Sequence, residues 1–138
     1  MRSAKRLLSI LIVMALSVSM MVNVFAFEDV AETHKNSGAI ELLASLQIIG
    51  GYEDGTFRPD AQISREEFAK IVYVLINGTY DSTVFMGSTR FSDVASDRWS
   101  SGYINWATNM GIVGGYPDGT FKPADNVTIA EAAKMLVT

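Results

Sequence analysis

The feature that most constrains the fold is an internal duplication: the sequence that begins at Phe27 returns 64 positions later without a gap. Three blocks carry the match, namely residues 27–31 (FEDVA) and 91–95 (FSDVA), 50–59 (GGYEDGTFRP) and 114–123 (GGYPDGTFKP), and 64–67 (SREE) and 128–131 (TIAE). A repeat of this length predicts two supersecondary units, each of which hides its apolar face against its neighbour. Such arrays usually present a binding surface, so the duplication favours recognition as the function.

The first 26 residues are typical of an export signal rather than of a folded unit. A positively charged start precedes an apolar run over residues 7–22, and Val24 and Ala26 give the small-residue pattern of a cleavage site. We therefore predict a signal peptide over residues 1–26, with Phe27 opening the mature chain. The alternative is an uncleaved membrane anchor, because the apolar run is nearly long enough to span a bilayer.

Charge and cysteine content exclude several classes of function for the mature chain. Removing 26 of the 138 residues leaves 112, and the eleven Lys and Arg less three leave eight against fifteen Asp and Glu, a net charge of −7. This charge argues against nucleic acid and against an anionic membrane surface as partners. Cysteine is absent, so the chain is held by packing and has no thiol chemistry.

Each unit is predicted to contain a helix, a turn and a second helix. Apolar residues at helical spacing predict the buried stripe of the first helix in both units, as Ala39, Leu42, Leu43 and Leu46, and as Tyr103, Trp106, Ala107 and Met110. Trp106 is therefore assigned to the core. Asp-Gly pairs then predict tight turns, after which Phe57 and Phe121 fold back as apolar plugs.

The second helix of each unit is predicted from its first turn. Ser64 with Glu67, and Thr128 with Glu131, match a capping box, in which each side chain satisfies a backbone N–H of the other residue. The apolar stripe of this helix in the first unit is Phe68, Ile71, Val72 and Leu75.

These patterns divide the mature chain into three segments. We predict a first unit over residues 27–76, a connector rich in Gly, Ser and Thr over 77–90, and a second unit over 91–138 with a shortened last helix.

Together, the Phe-x-Asp-Val block, the Gly-Tyr-x-Asp-Gly-Thr-Phe-x-Pro loop and the Ser-Arg-Glu-Glu helix start resemble the S-layer homology family over residues 27–138. The resemblance implies a mainly α fold of tandem helix-loop-helix repeats, forming part of a pseudo-threefold bundle with grooves between units. It also implies a non-covalent anchor at the bacterial cell wall or S-layer. The ligand implied is a secondary cell-wall polysaccharide that carries pyruvylated amino sugars.

The family's motif places a ligand-binding arginine at Arg65, whereas the second unit has Ile129 at that position. A guanidinium in the first turn of a helix suits a carboxylate, because it offers two parallel donors beside free backbone N–H groups. The alternative is a solvated arginine that offsets Glu66 and Glu67. An aromatic residue that the family often carries corresponds to Trp99 in the second unit and to Lys35 in the first.

Aromatic side chains are the other candidates for sugar contact. Trp99 precedes a helix, and Tyr52 and Tyr116 lie on loops where Gly51 and Gly115 allow a ligand close to the backbone. Packing within the loop is the equal alternative for both tyrosines. If grooves form between consecutive units, Arg65 and Trp99 could share one groove.

The leading interpretation is a secreted, wall-associated carbohydrate-binding module without catalysis or a cofactor. A nucleophile–base pair, a phosphate loop and a metal-ligand spacing are all missing from the sequence: the Asp-Gly turns lack the calcium-loop pattern, and His34 stands alone. The rival interpretation is a structural interaction protein that forms a homo-oligomer or completes an assembly with another chain of the family. After signal cleavage, no membrane association is expected.

Overall fold

The computed structural model describes residues 27–137, and within them the fold is mainly helical, as predicted. The helices are α1 (Ser37–Ser45), α2 (Arg65–Asn77), α3 (Ser101–Asn109) and α4 (Ile129–Val137), with a short 3-10 helix at Thr83–Phe85 between the second and third. Over this described range there is no strand, and an isolated bridge joins Ser64 and Asn126. The predicted signal peptide, residues 1–26, lies outside it.

Helices α2 and α4 begin as the capping boxes predict. The backbone N–H of Ser64 donates to the Glu67 carboxylate at 2.8 Å, and the Glu67 N–H donates back to the Ser64 hydroxyl at 3.3 Å. Thr128 and Glu131 exchange the same pair of bonds at 2.9 and 3.2 Å. Each box satisfies two N–H groups that a helix start leaves without partners. The position of the helix start, and hence of Arg65, is fixed by these bonds.

The Asp-Gly loop of each unit is folded back by a carboxylate from the start of that unit. Asp29 accepts the N–H of Phe57 at 2.8 Å and of Arg58 at 2.6 Å. In the second unit Asp93 accepts the corresponding two N–H groups at 2.8 and 2.7 Å. Arg58 takes a positive φ of 59° at this point, a conformation that both bonds stabilise.

Phe121 and Trp106 are buried as predicted, and Phe57 is partly buried. Phe121 is fully buried against Phe91, and Phe57 stacks on Phe27 with 5.1 Å between ring centroids. The largest core cluster joins α2 to the second unit. Tyr73 of α2 lies edge-on to Trp106 at 5.0 Å between centroids. The two units are therefore packed together through α2 and α3.

The predicted stripe of α1 is wrong. Leu42, Leu43 and Leu46 are exposed, and the buried residues of this helix are Ile40 and Ala44. The equivalent residues of α3 are buried apart from Met110, because α2 packs against that face of α3. No described element packs in the same way against α1.

The predicted stripe of α2 is only partly right. Val72 is buried, Phe68 and Ile71 are partly buried, and Leu75 is exposed. The buried residues that the stripe leaves out are Arg65, Glu66, Ala69, Tyr73 and Val74. The buried face is centred on the contact with α3 rather than on the first unit's own core. Among residues 27–137, no helix has the length and apolar character needed to cross a membrane.

Candidate functional site

Arg65 lies at the joint between the two units and is only 5% exposed. Its Nε donates to the backbone carbonyl of Phe121 at 2.8 Å, and its Nη1 lies 2.7 Å from a Glu131 carboxylate oxygen. The guanidinium also lies 4.8 Å from the ring centroids of Tyr116 and Phe121. The capping box of α2 aims this side chain into the second unit. All of these side-chain contacts belong to the second unit.

Glu131 is held ionised by the groups around it. It accepts the Tyr116 hydroxyl at 2.6 Å and the backbone N–H and hydroxyl of Thr128 at 2.9 and 2.8 Å. These bonds, Tyr116 first, together with the charge of Arg65, lower the pKa of Glu131 to about 2. The bond to Glu131 and burial raise the pKa of Tyr116. The Arg65–Glu131 ion pair therefore persists at neutral pH.

Glu66 forms a second charged contact across the same joint. Arg98 donates to its carboxylate through Nε at 2.7 Å and Nη2 at 2.8 Å, and the Ser100 hydroxyl donates at 2.6 Å. The two parallel arginine bonds fix the relative orientation of the units. From the sequence, Glu66 is considered only as a charge beside Arg65, and its contact with Arg98 is not predicted. The signal for it is that Arg65 and Glu66 are both replaced in the second copy, by Ile129 and Ala130.

A small pocket of about 120 Å³ lies beside the Arg65–Glu131 pair. It brings together three of the predicted site residues, Arg65, Gly115 and Tyr116. Because the arginine is already paired with Glu131, a ligand carboxylate would have to share it. Contact between these three residues and a ligand stays a prediction.

A larger groove of about 480 Å³ holds the other predicted residues. Gly51 and Tyr52 reach it from the first unit and Trp99 from the second, where its side chain is 49% exposed. Arg65 does not line this groove, so the structure does not bring Arg65 and Trp99 into one site. Of the residues that the structure describes, Trp99 is the one lining residue of this groove from the second unit, and the others lie between Ile49 and Ile71. A ligand site between consecutive units stays a prediction.

Two cations that the sequence analysis did not single out, Lys70 and Arg58, also line the larger groove. The Arg58 guanidinium lies 4.1 Å from the Tyr52 ring centroid and 2.8 Å from the Asp54 carboxylate. Lys70 reaches the groove from α2, and the repeat could have revealed it, since Lys134 lines the small pocket at the matching position. Aromatic faces beside cations suit a sugar that carries an acidic substituent.

Acidic groups in and beside the groove are themselves held by hydrogen bonds. Glu67 lines the groove and accepts the Tyr52 hydroxyl at 3.0 Å. Asp54 lies outside the lining, beside Arg58, and bonds from Thr56 and Arg58 lower its pKa to about 2. These two carboxylates are therefore ionised at neutral pH and balance the formal charge of the two cations. Within the described part of the chain, no three acidic or histidine side chains gather where they could hold a metal ion.

Gly51 and Gly115 have a packing role in their loops. Both have positive φ, 67° and 69°. A Cβ on Gly51 would lie 2.5 Å from a ring carbon of Phe27 and 2.7 Å from the Thr56 carbonyl, which no side chain tolerates. Their glycine identity therefore follows from loop packing, and any contact with a ligand stays a prediction.

Comparison with known proteins agrees with the geometry of the repeat. The sequence-family model of the S-layer homology domain matches residues 26–69 and 90–133, one match for each unit. A surface layer protein of Brevibacillus choshinensis is 33% identical over 137 residues, 96% of this chain and 12% of that protein. A cellulosome-anchoring protein of Acetivibrio thermocellus is 32% identical over 112 residues, 80% of this chain and 25% of that protein.

An enzyme also appears among these relatives. An amylopullulanase of Thermoanaerobacterium thermosulfurigenes is 35% identical over 115 residues, 80% of this chain but 6% of the enzyme. The chain thus spans a quarter or less of the length of these relatives. With both units matched, the chain belongs to the S-layer homology domain family and is a secreted, surface-anchoring protein of the bacterial cell wall or S-layer.

Proposed function

We propose that this protein anchors itself to the cell wall by binding an acidic secondary cell-wall polysaccharide, with pyruvylated sugars, in the larger groove. It does so non-covalently and without catalysis of its own. The observation that carries the proposal is the meeting of Tyr52 and Trp99, from different units, with Lys70 and Arg58 in one groove of about 480 Å³. Its size suits a few sugar rings rather than a whole polymer chain.

The chemistry of the groove divides between stacking and charge. The rings of Tyr52 and Trp99 offer apolar faces that can pack on the C–H faces of sugars, at little cost in side-chain entropy. Lys70 and Arg58 supply positive charge for a pyruvyl carboxylate. With −7 on the mature chain, long-range attraction to an acidic polymer is opposed, so these local contacts must provide the affinity.

The small pocket is a second place where the polymer could bind. There the ligand carboxylate would take one edge of the Arg65 guanidinium while Glu131 keeps the other, and Tyr116 would supply the ring. The ion pair at 2.7 Å opposes this arrangement, so we assign the main contact to the larger groove.

Cosedimentation with purified cell walls tests the proposal. Lys70→Gln removes a groove cation, and we expect binding to weaken roughly fivefold, the effect of one partly exposed charge pair. Lys122→Gln is the matched control, because Lys122 stacks on Tyr116 at 4.5 Å and lies outside the larger groove. Equal binding by the two variants would contradict the assignment of the groove.

A structural interaction role is the second candidate function. The observation that favours it is the exposed apolar face of α1, whose equivalent in the second unit is covered.

A further inference from the structure

Helix α1 exposes apolar residues whose counterparts in α3 are buried. Leu42 is 58% exposed, whereas Trp106, at the matching position of the second unit, is 4% exposed. Leu43 is likewise exposed, and its counterpart Ala107 is fully buried. The difference arises because Tyr73 of α2 covers α3, with its ring 5.0 Å from that of Trp106. Leu42 and Leu43 of α1 thus correspond to the surface of α3 that α2 covers, and we call them the receiving face. No helix in the described chain covers them.

Helix α4 exposes the opposite face of the same joint. Its Leu136 and Val137 match Val72 and Tyr73, the residues with which α2 covers α3. Both are exposed, and Ile129, at the position of Arg65, is 90% exposed. We call Leu136 and Val137 the covering face. One molecule therefore exposes a receiving face on α1 and a covering face on α4, the two kinds of surface that α3 and α2 already bring together within it.

We propose that a second copy of this chain packs its α4 on α1 of the first copy, head to tail, repeating the contact between α2 and α3. In that arrangement Val137 of one copy would lie on Leu42 of the other, as Tyr73 lies on Trp106. The receiving face with leucines and the covering face with Leu136 and Val137 are both aliphatic, so their contact would remove apolar surface from water.

The charged residues of the joint change together in a way that suits this pairing. Glu66 and Arg98 form the bidentate pair inside the molecule. At the matching positions the covering helix has Ala130 and the receiving unit has His34. The carboxylate and the guanidinium are thus both replaced, and contact between two copies would bury no unpaired member of this pair.

The remaining difference is Glu67, which would face Ile129 where Glu131 faces Arg65. Glu67 already accepts the Ser64 N–H at 2.8 Å and the Tyr52 hydroxyl at 3.0 Å, so it is not left without partners. The contact between copies therefore lacks both ion pairs of the internal joint, Arg65–Glu131 and Arg98–Glu66, and should be weaker than that joint. Because each copy uses two different faces, the contact is head to tail rather than a twofold dimer, and the rotation between units decides whether it closes into a ring or continues as a filament.

Sedimentation velocity of the secreted protein tests the proposal through two complementary variants. Leu42→Glu blocks the receiving face, and the double variant Leu136→Glu/Val137→Glu blocks the covering face. We expect concentration-dependent association of the unmodified protein and a monomer for each variant alone. A mixture of the two variants should form a 1:1 dimer and nothing larger, because one intact face of each kind remains.

A third variant should strengthen the contact. Ile129→Arg gives Glu67 the guanidinium that Arg65 gives Glu131, and we expect association to become about tenfold tighter. Circular dichroism checks that each variant is folded; Leu42, Leu136 and Val137 are all exposed, so no loss of structure is expected.

Several results would overturn the inference. These are a mixture of the two blocked variants that stays monomeric, a blocked variant that associates as the unmodified protein does, or an Ile129→Arg protein that remains a monomer. Binding of α1 only by a different S-layer homology protein would also overturn it and assign the face to that partner. Since Leu42 and Val137 line neither pocket, wall binding of the same variants is expected to be unchanged. A failure of polymer binding can therefore be distinguished from a failure of association between copies.

Discussion

The guanidinium of Arg65 and the carboxylate of Glu131, 66 residues apart in the chain, lie 2.7 Å from each other and join the two units. The arginine also donates to the Phe121 carbonyl and is almost wholly buried. Burying a guanidinium is costly unless it is paired and hydrogen-bonded, and here the second unit supplies both the Glu131 carboxylate and the Phe121 carbonyl. The residue that the family motif marks for ligand contact thus also holds the repeat together.

Replacing Arg65 with glutamine should lower stability more than it lowers binding in the larger groove. The change removes an ion pair and leaves Glu131 without its cation, so we expect about 2–3 kcal/mol to be lost from the free energy of unfolding. Urea denaturation measures this loss. Wall binding, measured below the unfolding transition, should stay within about twofold of the unmodified protein, since Arg65 is not in the larger groove.

Arg58→Gln is the control for the stability measurement alone, because Arg58 lines the larger groove and its loss is expected to weaken wall binding. Arg58 also forms a 2.8 Å ion pair, with Asp54, but both side chains are half exposed. An exposed pair of this kind contributes about 0–1 kcal/mol. Loss of wall binding by a folded Arg65→Gln protein would move the ligand to the small pocket.

The pKa of Glu131 predicts a loss of stability in acid. Its pKa is about 2 in the folded protein and 4.5 ordinarily, so the folded state favours the ionised form. This contribution is fully present above pH 4.5 and is lost as the pH falls toward 2. The free energy of unfolding should therefore decrease over that range.

Glu131→Gln isolates this contribution. The variant should be less stable at pH 7 and should show a shallower decrease in unfolding free energy between pH 4.5 and 2. The lowered pKa values of Asp29 and Asp54 remain in both proteins and cancel in the comparison. Parallel curves for the two proteins would mean that Glu131 is not held ionised as described.

Gly115→Ala should destabilise the second unit through a contact as well as through its backbone. Gly115 has a φ of 69°, and an added Cβ would meet the Phe91 ring and lie 2.7 Å from the Thr120 carbonyl. Gly119 has a φ of 79° with nothing near its Cβ position, so Gly119→Ala measures the backbone strain alone. We expect Gly115→Ala to cost at least about 1 kcal/mol more in thermal unfolding. An equal loss of unfolding free energy in the two variants would mean that contact with Phe91 does not contribute to the effect of Gly115→Ala.

Local sequence signals predicted the elements well. The capping residues Ser64 and Thr128 set two helix starts, because a capping box depends on residues only three positions apart. The duplication placed equivalent loops and plugs in both units, because the residues that hold them are repeated at the same spacing. Family membership and the mainly helical fold were likewise available from the sequence. The unit boundaries at residues 76 and 91 stay predictions.

What the sequence could not supply is which neighbour covers each helix. A period of 3.6 residues identifies an apolar face but not its partner, so Leu42 was predicted to be buried like Trp106. The same limit hid the Glu66–Arg98 pair and put Arg65 and Trp99 in one groove. These relationships depend on contacts more than thirty residues apart along the chain, which only the packed structure shows.

Trp99→Ala should weaken polymer binding with little effect on stability. The indole is half exposed and touches Tyr103 only edge-on, at 6.2 Å between centroids. Loss of one stacking ring should reduce affinity roughly tenfold in isothermal titration with soluble wall polymer. Lys35→Ala is the matched control, because Lys35 holds the equivalent position in the first unit and lines neither pocket. If both variants bind as the unmodified protein does, Trp99 is not a sugar contact.

Binding of the secreted protein to purified cell walls, before and after chemical removal of their pyruvyl groups, tests the central claim most directly. We predict sedimentation with intact walls and at least a tenfold loss of affinity after depyruvylation, because Lys70 and Arg58 then lack their carboxylate. Walls treated in parallel without the depyruvylating step control for damage to the polymer. Equal binding to walls with and without pyruvyl groups would contradict the account.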